Sequence, residues 1–167
     1  IDMSTAEAHY FAHKAFNNHM TGKTVMTTIL IILAIFIAAN FGRIYYQNVQ
    51  VPQLGVNNGQ LTPISKKPNN VSTQAADAEK RVPTLPFKSD LATTMTAVKQ
   101  AVSSYGGASI QQESDDYLYV VFTTSLMKYH DDVEFWLDTE NQEVHFRSAS
   151  RAGYSDMGLN RQRWEAL

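Results

Sequence analysis

Residues 25–41, VMTTILIILAIFIAANF, form an uncharged and almost wholly apolar run, with Lys23 before it and Arg43, Tyr45 and Tyr46 after it. At 1.5 Å per residue a helix of this length covers about 26 Å, close to the ~30 Å hydrocarbon core of a bilayer. A membrane-spanning helix is therefore expected over residues 24–43. Ile29, Leu33 and Phe36 would face lipid or a partner, and Tyr45 and Tyr46 would sit in the interfacial aromatic belt. Everything after the span reads as a tethered domain. Lys14 and Lys23 on the N-terminal flank outweigh Arg43 on the other. That bias places the N-terminus in the cytoplasm and the C-terminal domain in the periplasm of a bacterial inner membrane, with a plastid thylakoid membrane as the alternative. A cleavable signal peptide is the rival reading, with the small residues Ala38 and Ala39 near the cut. Ile1 is not an initiator residue, so the native chain is expected to begin further upstream, with room for more membrane helices.

Residues 1–23 are expected to form an amphipathic leader helix. Ser4 and Glu7 have the spacing of a capping box. Ala8, Phe11, Ala12, Ala15 and Phe16 then recur at helical intervals. Phe11 and Phe16 would contact the membrane surface or a partner, and Gly22 would let the chain bend into the span. Residues 44–86 read as an extended linker, because they hold all five prolines of the chain and no hydrophobic periodicity. Such a segment is either draped over the domain or mobile.

Periodicity returns in residues 87–167. Ser89 is a fitting N-cap for a helix over 90–104, with Leu91, Met95, Val98 and Val102 on one face and Gly106-Gly107 closing it. Strands are expected at 108–113, 117–124, 133–138 and 143–150, the last two as a hairpin that points Val144 and Phe146 inward and His145 and Arg147 outward. A final helix over 157–167 would be capped by Ser155 or Asp156. The fold expected is α+β, a small two-layer domain with a four-stranded, mostly antiparallel sheet and two helices. The absence of cysteine excludes disulfides and thiolate sites. Residues 44–167 hold 11 Lys and Arg against 14 Asp and Glu, a net charge of −3, which gives no basic face for nucleic acid.

Two blocks carry a family resemblance. The tail RSASRAGYSDMGLNR places Arg147, Ser148, Ser150, Arg151, Gly153, Ser155, Asp156, Gly158, Asn160 and Arg161 at fixed intervals. The earlier block LTPISKKPNNVS supplies Leu61, Pro63, Pro68, Asn69, Val71 and Ser72. Together they resemble the bacterial and plastid family called domain of unknown function 1499, over about residues 54–167. Ile64 and Asn70 stand where that family usually has cysteines, and Ser65 replaces a proline. The resemblance implies an exported or membrane-anchored domain and no particular reaction.

Charge is distributed unevenly. Residues 113–143 hold nine acidic side chains against Lys128 alone, and residues 147–163 hold four arginines against Asp156 alone. One reading is an anion site. Arg147, Arg151 and Arg161 would converge with Asn160 and Asp156 at the start of the last helix, on a lipid headgroup, another anionic ligand or a partner. The other is structural, with the arginines paired to Asp131, Asp132, Asp138 or Asp156. His9 and His13 are too few for a metal, and His130 with Asp131 and Asp132 reads as a solvated loop. Ser148 or Ser150 with His145 and Asp156 has the residue types of a triad, but a mid-strand serine lacks the sharp turn that nucleophile needs. Tyr117, Tyr119, Phe122, Phe135, Trp136, Phe146 and Trp164 read as core. No cofactor or metal is expected. The leading expectation is a non-enzymatic, membrane-anchored periplasmic domain, an accessory or stabilising subunit docked on a membrane-protein partner. A binding module for an anionic lipid or small ligand is the alternative.

Overall fold

The computed structural model describes residues 4–167, so the first three residues of the expected leader lie outside it. The chain divides into two compact units, Ile1–Arg43 and Ile44–Leu167. The first unit is part of helix α1, Thr5–Val49. The capping box forms as its residue types require: Ser4 N donates to Glu7 Oε2 at 3.0 Å, and Glu7 N donates to Ser4 Oγ at 3.3 Å. The bend expected at Gly22 is absent, because the helix runs through it. A lone glycine costs a helix only about 1 kcal/mol relative to alanine, too little to break one with long helical flanks. The helix is long and apolar enough to cross a membrane. Within the apolar run two polar side chains turn back on the backbone, Thr28 Oγ1 donating to Thr24 O at 2.9 Å and Asn40 Nδ2 to Phe36 O at 2.8 Å. Phe11, Phe16, Ile29, Leu33, Phe36, Tyr45 and Tyr46 are all exposed.

The second unit is built on an antiparallel sheet. Strands β1 (Val56–Asn57) and β2 (Gln60–Leu61) make a small separate ribbon. The main sheet contains β3 (Asn70–Ser72), β4 (Leu85–Pro86), β5 (Ala108–Glu113), β6 (Tyr117–Thr123), β7 (His130–Asp138) and β8 (Glu143–Ser150). Its order is β3-β8-β7-β6-β5, with β4 also paired to β8. It therefore has six strands where four were expected. The two extra strands are three and two residues long, too short to show a period of two. The segment read as a linker is draped and folded: its last part supplies β3 and β4, and Leu61, Asn69, Asn70, Val71, Ala75 and Val82 are buried. Pro86 fits because β4 lies on the sheet edge, where no ladder donor is needed.

Helices α2 (Leu91–Tyr105) and α3 (Leu159–Ala166) cover one face. The N-cap of α2 is Asp90, one residue later than expected, its carboxylate accepting from Thr93 N at 2.8 Å while Ser89 Oγ donates to it at 2.9 Å. Met95, Val98 and Val102 pack against Leu118, Val120, Phe122, Val133, Phe135, Leu137, Val144 and Phe146. Gly106 closes α2 at φ +80°, donating to Val102 O at 3.3 Å. The start of α3 falls two residues later than expected, after Gly158 at φ +83°.

The opposite sheet face was expected to meet water, with Arg147 and His145 outward. Instead Leu61, Tyr117, Tyr119 and Val121 form a second apolar cluster there with Leu54 and Trp136, and Arg147 is buried. Trp136 and His145 stack across β7 and β8 with centroids 5.0 Å apart. Asp138 fastens the hairpin turn beyond them, accepting from Glu140 N, Asn141 N and Asn141 Nδ2 at 2.9, 3.1 and 2.7 Å. These bonds, that from the Asn141 side chain foremost, hold its carboxyl below the ordinary aspartate range. The stabilisation is present above the unfolded-state value and is lost as pH falls through it toward the lowered folded one. The stability gap between the native protein and an Asp138→Asn variant should therefore narrow as pH is lowered from about 6 to about 3, measured by urea titration at each pH.

Candidate functional site

Strand β7 carries four buried carboxylates; Asp138 belongs to the hairpin turn, and the period of two divides the other three, Asp131, Asp132 and Glu134, between the sheet faces. Asp131 points with Val133 and Phe135 toward the helices. Asp132 and Glu134 point the other way, toward Tyr119 and Tyr117. Each meets one arginine. Arg163 Nη2 lies 2.7 Å from Asp131 Oδ2, Arg151 Nη2 lies 2.7 Å from Asp132 Oδ1, and Arg147 Nη1 lies 3.2 Å from Glu134 Oε2. Glu134 and Arg147 are also directly paired in the β7–β8 register.

On the second face, Arg151 grips Asp132 with two nitrogens, Nε lying 2.9 Å from Oδ2. Its Nη2 donates to Tyr119 Oη at 3.1 Å, and the Tyr119 hydroxyl donates to Asp132 Oδ1. Burial, helped by that bond, pushes Tyr119 up to about 12. Burial also raises Tyr117, whose hydroxyl donates to Glu134 Oε1 at 2.8 Å. Burial lifts Glu134 above the ordinary glutamate range, against the opposing pull of Arg147. Arg151 is pushed up by its bonds to Asp132. The same Arg151 reaches Asn48 O with Nη1 at 3.4 Å, and so satisfies a free carbonyl in the last turn of α1. Asn48 itself donates through Nδ2 to Lys128 O and accepts from His130 N, both at 2.8 Å. Residues 44–49 are thus bolted into the domain.

On the helix face, Arg163 Nη1 donates to Ser148 Oγ at 3.0 Å and to Asn160 Oδ1 at 2.8 Å. Its guanidinium sits 4.5 Å from the Phe122 ring centroid. Ser148 Oγ also donates to Asn160 Oδ1. Asn160 Nδ2 donates to Asn69 O, Ser150 Oγ and Asp156 Oδ2 at 3.0, 3.1 and 2.7 Å. Asp156 takes the Asn160 amide at 2.8 Å and so supplies the missing cap of α3 from outside the helix.

The five residues expected to converge therefore do not form one site. Arg147 and Arg151 share the second face, Asn160 and Asp156 lie on the helix face, and Arg161 donates to Glu79 O away from both. The triad types are also divided: Ser148 and Ser150 point to the helix face, whereas His145 points to the other and meets Thr73 Oγ1 at 3.1 Å. His130, Asp131 and Asp132 are not a solvated loop: they begin β7, and His130 meets Asn48 O at 3.1 Å. Among the described residues, no group of three or more His, Asp or Glu could hold a metal ion. The residue that sequence reasoning missed is Arg163, which sits in a very polar helix. The signal available was the imbalance of nine acids facing four arginines.

A cavity of about 350 Å³ opens beside the second-face pairs. Ser65, Lys67, Asn70, Arg147 and Arg151 line one side, and Tyr46, Gln47 and Gln50 the other. Two buried polar atoms at this cavity, Arg147 Nη1 and Asn70 Oδ1, make no hydrogen bond.

The family model described as "Protein of unknown function (DUF1499)" matches residues 60–167. No curated protein and no solved structure matches the chain.

Proposed function

This chain belongs to the DUF1499 family, and from that premise we propose that it is a non-enzymatic, membrane-anchored periplasmic domain, an accessory or stabilising subunit of a larger membrane-protein assembly. The observation that carries the reading is the helix long and apolar enough to cross a membrane, which precedes a domain into which residues 44–49 are bolted through Asn48. Such a bolt suits a part that holds position in an assembly. Further support comes from the arginine–carboxylate pairs. Each is closed, so these charges hold the fold together. The exposed Phe11, Phe16, Ile29, Leu33 and Phe36 offer the apolar surface that a membrane partner would cover. Native mass spectrometry of the full chain extracted from its own membranes in mild detergent tests the proposal. A stoichiometric partner is expected; a bare monomer at every detergent concentration would contradict it.

A second reading is favoured by the cavity at Lys67, Asn70 and Arg147. Two buried atoms there make no hydrogen bond, the Asn70 Oδ1 acceptor and the Arg147 Nη1 donor, which is ion-paired to Glu134, and they suit an anionic group that also carries a hydroxyl or amine. A phosphoglycerol headgroup has that chemistry. Full-length protein in nanodiscs should retain phosphatidylglycerol through delipidation, and Lys67→Ala should lower that retention while leaving thermal unfolding unchanged. Equal retention by the variant would remove this reading.

A further inference from the structure

Two loops at the same end of the sheet carry the three most exposed large apolar side chains of residues 44–167, those of Met157, Leu126 and Tyr154, with Met127 beside them. Residues 124–129 present Leu126 and Met127, which are 87% and 50% exposed. Residues 151–158 present Tyr154 and Met157, 73% and 93% exposed. The loops line one cleft of about 330 Å³, whose walls include Leu126, Met127, Ala152, Met157 and Leu159. Isolated apolar residues on a surface are ordinary, but Leu126, Met127 and Met157 around one apolar cleft, with Tyr154 on the same loop as Met157, mark a contact surface.

Their position identifies the occupant. Asn48 is hydrogen-bonded to Lys128 O and to the amide of His130, so the first loop is fastened to the last turn of α1. Six residues of chain lie between Asn48 and Phe41, the last residue of the uncharged run. Even fully extended, that length of chain spans no more than about 25 Å, so the first loop stays within reach of the headgroup layer. The second loop is tied to the first by Arg151 N donating to His130 O at 3.0 Å. Charge agrees. Lys128 and Lys66 are exposed, and Lys67 Nζ reaches Gly153 O at 3.1 Å in the second loop. The nearby carboxylates, Asp131 and Asp156, are occupied by Arg163 and by Asn160. Apolar tips beside lysines whose charge no carboxylate neutralises form the amphipathic pattern that binds an anionic bilayer surface.

We infer that these loops are a second membrane contact. Leu126, Met127, Tyr154 and Met157 enter the interface of the bilayer that α1 crosses, while Lys66, Lys67 and Lys128 meet anionic headgroups. The inference depends on the anchoring reading of α1, and the test separates the two.

The chain has no cysteine, so single cysteines can be placed and labelled without background. Full-length protein is prepared as Leu126→Cys, Met157→Cys, Leu33→Cys and Thr139→Cys, each carrying an environment-sensitive fluorophore. It is reconstituted in phosphatidylcholine–phosphatidylglycerol vesicles with spin-labelled lipids as quenchers. Thr139 lies at the hairpin turn, at the opposite end of β7 from His130. Several-fold stronger quenching at residues 126 and 157 than at 139 is expected, by a quencher placed near the headgroup, with residue 33 quenched best by a deep one. If residue 33 is quenched by the deep probe but 126 and 157 behave like 139, the loop contact is wrong and the anchor stands. That result would assign the patch to a protein partner. If residue 33 is not quenched either, anchoring and loop contact fail together.

Discussion

Replacing Arg163 with alanine is expected to destabilise the domain by about 3–5 kcal/mol, the cost of leaving a buried charge without its partner. Asp131 is 1% exposed, and Arg163 is the one cation that reaches it among the described contacts. The same substitution removes the donor shared by Ser148 and Asn160 and empties the space under the Phe122 ring. Urea unfolding followed by tryptophan fluorescence reads the loss directly, because Trp164 packs against the core next to Arg163 in α3. The double variant Asp131→Leu, Arg163→Met should recover much of it, since a buried pair replaced by apolar groups of similar volume is often neutral or better. Arg161 provides the contrast. It touches one carbonyl at the surface, so Arg161→Ala should stay within about 0.5 kcal/mol of the native protein.

The second large effect is expected at Asp132. Its removal strands the Arg151 guanidinium, whose side chain is 8% exposed, and takes the acceptor from the Tyr119 hydroxyl. Two features soften the cost. Arg151 keeps Tyr119 Oη and Asn48 O, and the neighbouring cavity admits water to the freed nitrogens. The expected loss for Asp132→Ala is therefore about 3 kcal/mol, the lower end of the range for a broken buried pair. Arg151 is also the clamp on the end of α1, so the variant should loosen that junction. Faster hydrogen exchange at the His130 amide, which donates to Asn48 Oδ1, would report it. A variant that loses stability with unchanged exchange at His130 would show that the junction is held without Arg151.

Regular elements were legible because their periods are long. The buried stripe Met95, Val98 and Val102 sits on the face the spacing indicates, and β5, β6 and β8 fall where the alternating or unbroken apolar runs of the sequence place them. The irregular elements were not. Asn70–Ser72 and Leu85–Pro86 are strands only because β8 offers them an edge, and pairs of residues carry no period. The second sheet face misled for a related reason. Polar residues alternating with apolar ones in β7 and β8 suggest a solvated surface, yet residues 54–61 cover it and Glu134 and Arg147 neutralise each other beneath them. The triad types could have been rejected from parity alone, because His145 and Ser148 are three apart on one strand and so face opposite ways. Parity was also the correct guide for the arginines. It put Arg147 and Arg151 on one face, but it could not show that the carboxylates of β7 already occupied them.

Membrane topology tests the central claim most directly. Single cysteines at Ala6 and Thr139, in otherwise native full-length protein, are exposed to a membrane-impermeant maleimide on intact spheroplasts. Residue 139 should label from outside, residue 6 should label only after the membrane is opened, and the protein should stay in the pellet through an alkaline carbonate wash. Labelling of residue 6 with protection of residue 139, or release of the protein by carbonate, would contradict a periplasmic domain held by a spanning helix.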